Sequence, residues 1–573
     1  MNYEKLAALL FPDVRLTAED YEKKYPPRDL PAGAMVTRLG PSPTGFIHLG
    51  NLYGAFVDER LAHLSGGVFY LRIEDTDDRR YVEGAVETLI QALDYFAIHF
   101  DEGRTEEGEK GDYGPYTQSL RQPIYRCYAK KLVSEGKAYP CFLTEEEIGN
   151  IRIRQEKNKE TPGIYGPYAL CRSLTLEEIE KKIKGKETYV IRLKSDGKAS
   201  EVKESRFQIE DEIRGILDMP RNFQDVVLLK ANGVPTYHFA HVIDDHLMRT
   251  THVVRGEEWL SSLPIHVEFF EKLGWEPPVY CHTAQLMKLG ENGHKRKLSK
   301  RHDPELSLRY YQDKGYHPVA VREYLMTILN SDYEEWRAKN PQADLDGFDF
   351  RPEKMSAAGA LFDIDKLNDI SKDVLLRIPA DKLYLFIRKW AETCAPEYQD
   401  MLADAPYVRA ILDIGRKDKK PRKDLVFGRQ IMDYFAYFFE PLFQRTDPYP
   451  PEVSSDDIPK ILRAYLASYE QSDAQDQWFQ KIREIATAYG YAAKPKDYKK
   501  EPEKYKGHVG HVSTVIRIAL TGRATSPDIW TIQQILGEAR TKERIEGALA
   551  CGTEALSEGT GALAEGMRGG EGA

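Results

Sequence analysis

Two short segments hold residue types that could act on a nucleotide. The first, RLGPSPTGFIHLGN at Arg38 to Asn51, passes through a Pro- and Gly-punctuated turn and opens a helix at a His-x-Gly. Gly50 lacks a Cβ, so an adenine ring can pack on backbone there, while a helix N-terminus aims amide hydrogens and positive dipole at phosphate. His48 stands where it can donate to an α-phosphate as negative charge grows. The second is KLSKR at Lys297 to Arg301, in the basic stretch LMKLGENGHKRKLSKRHD. Lys297 and Lys300, three residues apart and followed by Arg301, could close on a pyrophosphate leaving group. Alone, a His-x-Gly is more often a plain turn whose His caps a helix, and a KLSK run is more often a solvated loop. Their joint presence, in this order, reverses that balance.

The elements around them read as a nucleotide-binding α/β fold. MVTRLG is a strand and PSPTG a turn; Leu52, Phe56, Leu61 and Leu64 then have near-helical spacing up to Gly66-Gly67. VFYLRIED is a second strand. From Glu83 to Ile98, Val86, Leu89, Ile90, Leu93 and Ala97 share a helical face. This β-α-β-α order implies a parallel sheet whose ligands sit at the carboxyl ends of its strands. The expected fold class is therefore α/β, a Rossmann-type nucleotide-binding domain with an inserted domain, followed by an all-α region.

The expected boundaries are an N-terminal extension at 1–33 with one short amphipathic helix, and a first catalytic half at 34–115. A Lys- and Glu-rich insertion follows at 116–220. The second catalytic half spans 221–290, where DVVLLKANGVPTYHF forms a hairpin around Asn232-Gly233 that returns the chain to the sheet. A region holding the KLSKR loop covers 291–372, helices cover 373–550, and the Gly-, Ala- and Glu-rich stretch 551–573 is a disordered tail.

With 573 residues the chain exceeds what one core sustains. No apolar run approaches the roughly 18 residues of a membrane helix, and the acidic N-terminus does not resemble a targeting segment. Cytoplasm is the default, and six scattered cysteines fit a reducing compartment. A net charge of -10 is an average that still permits a basic face. Candidates for one are RKDKKPRK at Arg416 to Lys423 and KPKDYKKEPEKYKGH at Lys494 to His508, where tyrosines interleave with lysines as in surfaces that stack on unpaired bases.

Together with YLRIEDTDDRRYVEGA, GPYTQS, DVVLLKANGVPTYHFAHVIDDHLM and THVVRGEEWLSSLPIH, the two motifs make the chain resemble the glutamyl-tRNA synthetase family of class I aminoacyl-tRNA synthetases. The resemblance is specific from Val36 to about Tyr311 and weaker to about Ala550. It implies catalytic roles for His48, Gly50, Lys297 and Lys300. Glutamate would be held by Arg38, Ser42, Glu74, Tyr237, His241 and Arg255, with Arg38 gripping the side-chain carboxylate, as a guanidinium can do bidentately. ATP would lie against His48, Gly50, Asn51, Glu258, Trp259, Lys297 and Lys300. Arg80 matches a contact to the tRNA acceptor end, and Arg416 or Arg422 is a candidate anticodon contact.

The family's substrates are ATP with Mg²⁺, L-glutamate and tRNA(Glu); charging of tRNA(Gln) as well stays open, and a monomer is expected. Departures from the pattern are Asn51 at the fourth position of the His-x-Gly motif and His241 where some relatives carry Asn. Cys141 and Cys171 stand alone where relatives hold zinc with four ligands, so no zinc is expected. Rival readings are a glutaminyl-tRNA synthetase or a shorter glutamylating relative, a catalytically silent tRNA-binding paralogue, and a small-molecule adenylyl transferase.

Overall fold

The computed structural model describes residues 1–43, 45, 47–77 and 82–550. Arg80 and the tail 551–573 therefore lie outside the described residues. The chain forms two compact units, the first made of Met1–Tyr311 with Pro318–Leu367, the second of Gln312–His317 with the residues from Asn368 on.

In the first unit the strand Val36–Leu39 is buried at all four positions, as expected of a parallel strand covered on both faces. It pairs in parallel with Val68–Leu71, which pairs in parallel with Glu102–Arg104. The helix Leu49–Leu64 makes the crossover between the first two. Beyond the opposite edge, Thr251 N–H donates to the Val36 carbonyl at 3.0 Å, bringing up the strand His252–Gly256 and its parallel partner Val279–Thr283. The carboxyl ends of these strands open at one rim, where the phosphate-friendly turn also lies.

Three expectations need correction. The segment from Arg206 to Pro220, assigned to the insertion, is an antiparallel ribbon that joins the second parallel sheet where Asp211 pairs with Tyr280. Its alternation is the reason: Phe207, Ile209, Leu217 and Met219 pack on Val253, Leu263, Val267 and Tyr280. Conversely Val227–Leu229 does not return to the catalytic sheet. It is the third strand of the inserted sheet, beside Val190–Leu193 and Ala138–Cys141. The Asn232-Gly233 turn, with Gly233 at φ +79°, leads directly into the helix Tyr237–Leu247. Finally, the extension holds two helices, Tyr3–Leu10 and Ala18–Lys24, where one was expected. AEDYEKK has one buried residue, Tyr21, so periodicity is silent; Thr17 and Asp20 start this helix by capping each other.

The KLSKR segment follows a small sheet made of Leu286–Leu289, Lys295–Lys297 and Ala360–Leu361. The second unit is helical, with one core around Trp390 and another around Val512 and Ile516. Among the described residues no helix is long and apolar enough to cross a membrane.

Candidate active site

A cavity of about 600 Å³ opens at the carboxyl rim of the first unit. Arg38, Ser42, His48, Gly50, Asn51 and Glu74 line it from the first half of the nucleotide fold. Tyr237, Arg255, Glu258 and Trp259 line it from the second, and Lys297 from the small sheet that follows. Residues more than two hundred positions apart in the chain thus share one wall, because the crossover connections bring every strand end to the same side.

His48 is the N-cap of Leu49–Leu64; its backbone N–H donates to Asn51 Oδ1 at 3.1 Å. Asn51 thereby closes the first turn, a role the sequence reading did not give it. Burial pushes the His48 imidazole below the ordinary histidine range. A Cβ on Gly50 would stand 2.9 Å from His48 Nδ1, so the glycine sets where the ring can lie. Gly40 has a similar use: any side chain there would collide with the Glu74 carboxylate.

Arg38 is 4% exposed. Its Nε donates to Asp245 Oδ1 at 3.3 Å and its Nη1 to the Val254 carbonyl at 3.4 Å. Burial alone would weaken its hold on the proton, but the Asp245 carboxylate outweighs that and the guanidinium stays charged. Asp245 also receives Arg72 Nη1 at 2.6 Å, and Arg72 Nη2 reaches Glu74 Oε1 at 2.9 Å. Burial raises the Glu74 carboxyl despite Arg72 and Arg38. The helix Tyr237–Leu247 supplies this layer by its four-residue spacing, with Tyr237, His241 and Asp245 on one stripe. Asp244, the preceding residue, takes Arg121 Nε at 2.6 Å, Gln118 at 2.9 Å and Tyr125 at 2.7 Å. Both aspartates are interior counter-ions.

His241 is fully buried and does not line the cavity. It lies behind it, its ring 5.6 Å from that of Tyr237 and nearly parallel, with Nδ1 3.0 Å from Asp245 Oδ2. Among the residues expected to hold glutamate, His241 thus packs behind Tyr237 and beside Arg38. Burial pushes its imidazole down to about 4.

Lys297 ends the strand Lys295–Lys297 on the cavity wall, whereas Lys300 is exposed and outside the lining. The loop between them is anchored by Asp303, which sequence reading passed over. Its carboxylate takes Arg296 in a fork at 2.6 and 2.7 Å and the Ser299 N–H at 2.8 Å. The Arg296 hydrogen bonds, with Ser299 N–H, hold it well below the usual carboxylate range.

Cys141 and Cys171 pack together with Tyr139; the Phe142 N–H donates to Cys171 Sγ at 3.4 Å. In the second unit Arg416 donates to the Leu375, Leu376 and Ile378 carbonyls, closing the end of the helix Ile364–Arg377. Arg422 donates to Asp424 at 2.7 Å and lies against the Tyr434 and Phe435 rings, 13% exposed. Around them Lys417, Lys419, Lys420 and Lys423 are exposed.

A Rossmann-type site with a His-x-Gly helix start facing a Lys-x-Ser-Lys loop is the arrangement of a class I synthetase, and the chain belongs to that family. Residues 34–368 match tRNA synthetases class I (E and Q), catalytic domain, and residues 425–549 match an anticodon binding domain. A glutamate--tRNA ligase of Acetivibrio thermocellus is 59% identical over 551 residues, covering 96% of this chain and all of the relative. One from Clostridium perfringens strain 13 is 47% identical over 551 residues, 95% of this chain and all of the relative. Among solved structures, a glutamate tRNA ligase from Elizabethkingia meningosepticum in complex with its amino acid matches with a TM-score of 0.70 and 27% identity. The match covers 90% of this chain and 99% of that one.

Proposed function

We propose that the chain is a glutamate--tRNA ligase whose ATP and glutamate meet in the 600 Å³ cavity. The observation that carries this reading is the shared wall of Arg38, His48, Glu74, Tyr237, Arg255 and Lys297. Glutamate's carboxylates pair with Arg38 and Arg255, and Glu74 and Tyr237 take the amino group, with Ser42 at the mouth. The α-carboxylate attacks the α-phosphorus of ATP in line, the bond to the bridging oxygen breaks, and pyrophosphate leaves with its electron pair. Charge growing on the α-phosphate is met by His48 and the N-terminus of Leu49–Leu64; charge on pyrophosphate is met by Lys297 and, as the loop closes, Lys300. The 2′-hydroxyl of the terminal adenosine then attacks the glutamyl carbonyl, releasing AMP.

Mg²⁺ arrives with ATP and offsets triphosphate charge. Such an ion would be carried mainly by the ATP phosphates. The exposed lysines of 417–423 and of Lys494–Lys500 supply phosphate contacts for tRNA(Glu). A cytoplasmic monomer fits this role.

Glutamate- and tRNA-dependent exchange of pyrophosphate into ATP tests the reading; its absence from purified protein would refute it. Lys300→Ala is expected to depress adenylate formation far more than tRNA affinity, and equal loss of both would contradict the role given to Lys300.

A further inference from the structure

Arg255 differs from Arg38 in what holds it. Arg38 leans on a carboxylate, whereas the hydrogen bonds of Arg255 go to uncharged rings. Its Nε–H donates to His282 Nε2 at 2.9 Å and its Nη1–H to His266 Nδ1 at 2.8 Å. Both imidazoles are fully buried. A guanidinium only donates, so both of those nitrogens must be acceptors, and this fixes the protons along the chain. His282 carries its hydrogen on Nδ1 and gives it to Asp211 Oδ2 at 2.6 Å. His266 carries its hydrogen on Nε2 and gives it to His238 Nδ1 at 2.9 Å. The Tyr280 ring lies 4.8 Å from the guanidinium carbon, and Nη2 has no hydrogen-bond partner among the described residues.

We infer that His266 and His282 are positioning residues of the amino-acid site, which fix the Arg255 guanidinium through neutral acceptors and so leave its charge for a substrate carboxylate. The physical reason is that a carboxylate in either place would orient the guanidinium equally well but offset part of its charge, as Asp245 does at Arg38, and so weaken the attraction for an anion. Burial pushes both imidazoles below the ordinary histidine range, so neither competes as a cation at neutral pH. Asp211 sits one imidazole away, orienting His282 without touching Arg255. This inference rests on Arg255 being a carboxylate-binding group.

The test uses full-length protein and saturating tRNA, with glutamate KM and kcat measured at saturating ATP and the ATP KM at saturating glutamate. His266→Asn and His282→Gln each put an amide oxygen near the lost acceptor and are expected to keep the glutamate KM within about threefold of the parent. His266→Asp and His282→Glu keep an acceptor but add negative charge, and are expected to raise the glutamate KM about tenfold or more with the ATP KM unchanged. Each pair differs by one charged group at constant size, so a general packing defect would shift both members alike. Equal KM values within each pair, or an ATP KM that rises with that for glutamate, overturn the inference. Arg255→Gln tests the underlying reading separately: if it leaves the glutamate KM unchanged, the carboxylate is not at Arg255, whatever the histidine variants do.

Discussion

At the scale of single residues, the His-x-Gly start of Leu49–Leu64 offers an unusual separation of stability from activity. Replacing a helical glycine by alanine normally stabilises by roughly 0.5–1 kcal/mol, since the unfolded chain loses freedom. Here the added methyl would press on His48 Nδ1. Gly50→Ala is therefore expected to melt no lower than the parent while losing adenylate formation, read by thermal unfolding beside pyrophosphate exchange. A melting loss with intact exchange would contradict this use of the glycine. His48→Ala removes a donor to developing charge and is expected to lower kcat by about 10² to 10³-fold, with the glutamate KM little changed. Types and spacing marked these positions because the phosphate chemistry is local to one turn. Spacing did not reveal that His241 lies behind the cavity, since any residue on the Tyr237 stripe could face substrate or core.

At the scale of elements, the loop after Lys295–Lys297 depends on Asp303. Its carboxylate joins Arg296 to the Ser299 N–H, a span that sets where Lys297 and Lys300 project. Asp303→Asn is expected to loosen that span and slow pyrophosphate exchange by up to about 100-fold, the scale of a misplacement of about 1 Å. Stopped-flow measurement of adenylate formation would check it, with glutamate affinity nearly constant. A matching loss in glutamate affinity would mean that Asp303 supports the whole cavity. The strand-turn-helix at Val36–Leu64 was legible because strand, breaker and helix signals follow one another without conflict. The ribbon Arg206–Pro220 was misplaced because its polar, Lys- and Glu-rich context resembles the insertion; only the docking of Phe207 and Ile209 onto Val253 and Tyr280 assigns it to the second parallel sheet.

For the whole molecule, buried neutral histidines make stability depend on pH. His241 in the first unit and His317 in the second are both pushed down by burial to about 4, and His238, His266 and His282 are lowered as well. Between about pH 6.5, where an unfolded histidine titrates, and pH 4, the unfolded chain binds more protons than the folded one. Stability from these groups is thus complete above about pH 6.5 and falls as the pH drops toward 4. Urea unfolding at stepped pH should show this decline, steeper than in a His241→Asn, His317→Asn double variant. An identical slope in the two proteins would remove these two histidines from the account.

The sequence by itself determined the nucleotide turn, the lysine loop and the helical distal region, because each is written in contiguous residues whose local physics is self-sufficient; the kind of reaction came from the resemblance of its motifs to one family. The tertiary structure alone decided which charges are occupied. Asp245 under Arg38, Asp303 under the lysine loop, Arg416 on helix carbonyls and the histidines around Arg255 are pairings between distant segments, and burial makes a donor without an acceptor too costly to leave alone. No spacing along the chain encodes that choice; it is made when the strand ends converge on one rim.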